Sequence, residues 1–112
     1  MKFIREKISH CEFMQIAHER FGDMIKAVVD IRLEVMIVGG DLHSDEEAAL
    51  LESGSNQIDL WGINIYVDKS PDERVEFDSV INIRPAQNNR SRDVIDPLIR
   101  KKIVEIVNKF IE

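Results

Sequence analysis

Cysteine is nearly absent. Cys11 stands alone among 112 residues, so no disulfide closes within the chain and no CxxC pair is available for metal or redox work. With nothing for an oxidising compartment to act on, the expected location is the cytoplasm. Proline and glycine are scarce, at three and five, and neither gathers into a linker. One domain over residues 1–112 is therefore expected. No apolar run approaches the roughly 20 residues that a membrane span needs. The opening segment, Met1 to Lys7, alternates charge with apolar side chains and lacks the apolar stretch of a secretory signal. No phosphate-binding glycine loop, dinucleotide fingerprint or nucleophile elbow occurs.

What is present is globular: 44% hydrophobic residues for one core and 32% charged residues for a solvated shell. The net charge of −6 argues against nucleic acid as a partner, because neutralising phosphates takes clustered Lys and Arg. The charge is unevenly spread. From Leu33 to Asp68 there is no Lys or Arg, while Glu34, Asp41, Asp45, Glu46, Glu47, Glu52, Asp59 and Asp68 are all acidic. From Arg84 to Lys102, six basic residues face only Asp93 and Asp96. An acidic middle suits a cation and a basic tail suits an anion, unless the two pair with each other or across a dimer.

Periodicity places the elements. Phe3 and Ile4 suggest a short strand. Ser9 and Glu12 have capping-box spacing, an apolar stripe follows, and Gly22 suits a left-handed terminator, so a helix is expected over Ser9–Phe21. Ile25, Ala27, Val29 and Ile31 share one face of a strand, and Leu33, Val35 and Ile37 one face of the next, with Arg32 at the reversal. Met24, Val28, Met36 and Val38 fall on the opposite face, so this hairpin is apolar on both sides. Either another helix or a second copy of the chain must cover it, and a homodimer is the expectation.

The segment from Asp41 to Ser53 reads two ways. Ser44 with Glu47 and then Gly54 fit a helix; Leu42, Ala48 and Leu50 alternating with polar residues fit a strand, the reading adopted. Leu60–Val67 alternates cleanly, as does Arg74–Arg84. If they are neighbours, Asn64 faces Glu76 or Asp78 and its amide should bond a carboxylate. Asp96 and Pro97 open a last amphipathic helix to Ile111. The expected fold is α+β: a five-stranded antiparallel meander from Met24 to Arg84, packed with these two helices.

Two polar clusters are candidates for function. His43, Asp45 and Glu47 are ligand types at i, i+2 and i+4, suited to a divalent metal such as zinc, manganese or nickel, or to acid–base work. Asn82, Arg84, Gln87, Asn89 and Arg90 combine a planar cationic fork with amides, a set suited to an anionic ligand. Each has a plainer alternative: a solvated acidic face in the first case, a loop tying down its own backbone in the second.

The stretches GGDLHSDEEAALLESGSNQIDLWGINIY, Gly39 to Tyr66, and EFDSVINIRPAQNNRSR, Glu76 to Arg92, are similar to a family of short prokaryotic proteins of unknown function. H-x-D-x-E, L-W-G-I-N and N-I-R-P carry the likeness, which spans nearly the whole chain. It implies a shared fold and brings no activity with it. It also implies that positions 44 and 46 are usually small and apolar among relatives, which favours the strand reading of 42–50. Three functions follow as expectations: a homodimeric module binding a small anion through the Arg84–Arg90 region, a metal-dependent hydrolase using His43, Asp45 and Glu47, or an interaction protein with no small-molecule site.

Overall fold

The strands with the cleanest alternation form the centre of the sheet. In the computed structural model, which describes all residues 1–112, β2 (Met24–Asp30) pairs antiparallel with β4 (Leu60–Tyr66) over seven residues, from Met24 opposite Tyr66 to Asp30 opposite Leu60. On the far side of β2 lies β3 (Val35–Val38), and β1 (Lys2–Ile4) adds to β3. The other edge is β5 (Val75–Glu76), beside β4. The sheet therefore has five antiparallel strands in the order β1-β3-β2-β4-β5.

Two helices cover the first face. α1 (His10–His18) starts where expected: the Ser9 hydroxyl accepts the Glu12 N–H at 3.1 Å, and Gly22 follows with φ of +90°. α3 (Pro97–Phe110) is capped by the Asp96 carboxylate, which accepts the Leu98 N–H at 2.8 Å. Phe13 and Ala17 of α1, with Ile103, Ile106 and Phe110 of α3, pack on Ile25, Ala27, Val29, Trp61, Ile63 and Ile65. Each large side chain fully buried here contributes about 1.5–3 kcal/mol.

The second face differs from expectation in three places. Residues 42–50 form no strand: α2 (His43–Glu52) is a helix, so the sheet is not a meander. The physical reason lies in residue type. The segment holds no β-branched residue, carries the exposed Asp45 in its first turn where the helix dipole favours a negative charge, and buries His43, Glu46 and Leu50 at helical spacing. The hairpin between β2 and β3 turns through four residues, Ile31 to Glu34, with Glu34 at φ of +56°. Val28 consequently faces the same way as Ile37, while Met36 and Val38 lie under the first-face helices. α2 crosses over this second face and buries Val28, Ile37, Leu50 and Leu60 together. The cover that suggested a second copy is supplied within the chain.

The third difference concerns 74–84, where ladder pairing ends at Glu76. Beyond it, side chains replace backbone. The Asn82 amide accepts the Gly62 N–H at 2.8 Å and donates to the Gly62 carbonyl at 2.9 Å, the pair of bonds a neighbouring strand would make. Arg84 donates to the Leu60 carbonyl. The β4 edge is thus sealed by N-I-R reaching onto L-W-G. Where the ladder does run, Asn64 faces Glu76 and donates to its carboxylate at 2.8 Å, as its spacing predicts. No helix is long and apolar enough to cross a membrane.

Candidate functional site

The residues first suspected of metal binding do not converge. His43 is 8% exposed, its Nε2 lies 2.8 Å from the Ile63 carbonyl, Asp45 points to solvent, and Glu47 stands 3.7 Å from Arg84. No group of three or more His, Cys, Asp or Glu side chains is placed to hold a metal ion.

The amide-rich cluster is brought together, but turned on the chain itself. Besides Leu60, Arg84 donates to the carbonyls of Ile81 at 3.0 Å and Gln57 at 2.6 Å, and its guanidinium stacks 4.7 Å from the Trp61 ring. Gln87 donates to the Ile58 carbonyl at 3.1 Å. The buried Asn89 amide donates to the carbonyls of Asn82 and Asp93, both at 2.7 Å, and accepts the Ile95 N–H at 2.9 Å. Arg90 alone keeps an exposed side chain with no hydrogen bond or ion pair. Four of the five therefore satisfy backbone that the loop would otherwise leave unpaired.

A different set of polar groups meets where α2 begins. Between that helix end and the residues following β5 lies a cleft of about 250 Å³, lined by Lys26, His43, Ser44, Ser79 and Arg92, with Leu42, Val80 and Ile81 as its apolar part. Each arrives for a local reason. Lys26 is the one basic residue of β2 and projects from the second face opposite Asn64. Ser79 sits against Gly62, where an added Cβ would come within 2.6 Å of it, so only glycine lets the serine lie on the sheet. The Arg92 carbonyl accepts from the Ser79 N–H at 3.1 Å and the Asn82 amide at 3.0 Å, which anchors the Arg92 backbone at the cleft. The Arg92 Nε donates to Asp78 at 2.6 Å, and its terminal nitrogens are unclaimed.

The start of α2 is uncapped. Leu42 occupies the N-cap with no side-chain bond to the helix, and the N–H groups of His43 and Ser44 have no partner in the chain. Unpaired amides at the positive end of a helix favour an anion. Burial pushes the His43 imidazole below its ordinary pKa of 6.5, so the ring is neutral near pH 7. A carbonyl can only accept, which puts its proton on Nε2 toward Ile63. Asn64 lies beside the ring and hydrogen-bonds to it, which partly offsets the effect of burial. Two cations, two hydroxyls and two open amides thus crowd one concavity.

Of this set, residue patterns pointed only to His43. Lys26 carried a legible signal, a lone charge inside an apolar strand; Ser79 and Arg92 gain meaning only from Gly62 and the fold of the 79–92 segment. With the geometry established, the family can be stated. The chain belongs to DUF5674. That family is described as a protein of unknown function, and its model matches residues 2–110. No curated protein and no solved structure matches the chain.

Proposed function

We propose that the domain is a binding module for a small oxyanion, seated in the cleft at the start of α2. The observation that carries this reading is the uncapped helix start opening onto Lys26, Arg92, Ser44 and Ser79. An anion there would accept from the free amides, draw on both cations and give the hydroxyls an acceptor. Binding is favoured over metal-dependent hydrolysis because the Nε2 of His43 is committed to Ile63 and Asp45 points away to solvent. The cleft lies within one chain, so the reading needs no second copy.

Calorimetric titration with inorganic phosphate at low salt tests it. Arg92→Ala and Lys26→Ala should each weaken binding by roughly ten- to a hundredfold, the usual cost of a charged hydrogen bond. Arg90→Ala should leave it unchanged. Loss in Arg90→Ala with retention in Arg92→Ala would return the site to the Arg84–Arg90 loop. No binding at millimolar phosphate would leave the interaction protein as the better reading.

A further inference from the structure

The cleft has an apolar half that anion binding alone does not explain. Leu42 is 56% exposed and Val80 63% exposed, and both line it, from α2 and from the short 3-10 turn at Val80–Asn82. Leu42 is the more telling of the two. The N-cap is where Ser, Thr, Asp or Asn would satisfy a helix amide, and leucine there forgoes that bond while leaving its side chain in water. Neither cost is repaid by the core, since Leu42 belongs to neither buried cluster.

Size points the same way. A cavity of about 150 Å³ holds a benzene ring. The cleft of about 250 Å³ has room for a group of that size beside an oxyanion. Arg92 and Ser44 are exposed and Lys26 is half-buried, while Ser79, at 1% exposed, and His43, at 8%, are recessed. A flat charged surface could not reach them, whereas a single molecule entering head first could.

We infer that the cleft takes an amphiphilic anion, a phosphoryl or carboxyl head against Lys26, Arg92 and the α2 amides, with a ring-sized apolar group against Leu42, Val80 and Ile81. This rests on the oxyanion reading above and adds the class of molecule that carries the anion. Phosphate and carboxylate heads share the chemistry of the polar half, so both are tested.

The experiment is calorimetric titration of the whole chain with phenyl phosphate, inorganic phosphate, benzoate, acetate and phenol, and sedimentation with anionic phosphatidylserine vesicles. Phenyl phosphate should bind at least tenfold more tightly than inorganic phosphate, or benzoate than acetate, and phenol should not bind. In the double variant Leu42→Ala, Val80→Ala, which removes the apolar contact without adding a capping oxygen, the ring-bearing ligand should fall to the affinity of its bare head group, with the head group itself unaffected. Both positions are solvent-exposed, so the variant should melt no lower than the parent. Equal affinity with and without the ring would overturn this inference and leave the oxyanion reading standing. A ring-dependent gain that survives in the double variant would overturn it by placing the apolar contact elsewhere. Binding to vesicles without binding to phenyl phosphate or benzoate would overturn it in favour of a membrane surface. Failure of every anion would remove both readings.

Discussion

The two faces of the sheet are built from the same strands and obey different rules. On the first, every inward side chain of β2 and β4 from Ile25 to Val29 and Trp61 to Ile65 is apolar, and α1 and α3 close over them in one cluster of 19 buried residues. On the second, α2 covers a cluster of only four buried residues, Val28, Ile37, Leu50 and Leu60. Around it, Asp30, His43, Glu46, Asn64, Ser79 and Asn82 are buried polar groups. One face stabilises the domain; the other spends stability on placing polar atoms.

Truncation on the first face should show the largest loss. Ile63→Ala removes a fully buried side chain beneath α1 and α3 and should cost about 3–4 kcal/mol in chemical denaturation. A cost below about 1 kcal/mol would mean that the first face is not the principal core.

The next effect should be a gain. Glu46 is fully buried, its Oε2 accepts the Gly40 N–H at 3.1 Å, and its Oε1 has no partner. Burial pushes the carboxyl up to about 9. A folded pKa above the unfolded 4.5 contributes stability that is complete below pH 4.5 and is lost as pH rises toward 9. At pH 7 that loss is roughly 3 kcal/mol. Glu46→Gln should therefore stabilise the protein at pH 7 by up to roughly 3 kcal/mol and flatten the decline between pH 5 and 8. His43 acts in the opposite sense. Its pKa is lowered, so its contribution is complete above pH 6.5 and falls away as pH drops. Melting curves of the parent and Glu46→Gln across this range separate the two; an unchanged slope in the variant would contradict the buried neutral acid.

The same contrast explains what could be read from residues alone. Uniform alternation in Leu60–Tyr66, the Ser9 and Asp96 caps and the Asn64–Glu76 pairing were all legible, because each depends on side chains near in sequence or directly opposite. The second face was not. In α2, His43, Glu46 and Leu50 form the buried stripe, but two of those three are polar, so hydrophobic periodicity fell silent and a strand alternation took its place. Asn82 and Arg84 had the composition of an anion site and instead complete the hydrogen bonding of β4, a role set by residues 20 and 24 positions away. Lys26, Ser79 and Arg92 come from three separate segments, and only the folded chain makes them neighbours.

The smallest effect bears on the cost of the cleft. Leu42→Ser places a conventional cap at α2 and should raise stability by about 1 kcal/mol. Together with weaker binding of ring-bearing anions, that result would show stability and ligand affinity drawing on the same residue in opposite directions. A loss of stability would mean that Leu42 packs in the fold more than its exposure indicates.

The claim that the second face holds an oxyanion is tested most directly by amide-resolved NMR during titration with inorganic phosphate at pH 7 and low salt. The shifts should concentrate at the amides of His43 and Ser44 and along Ser79 to Ile81, saturating together. Shifts confined to Gln87 to Arg90, or none at the start of α2, would contradict it.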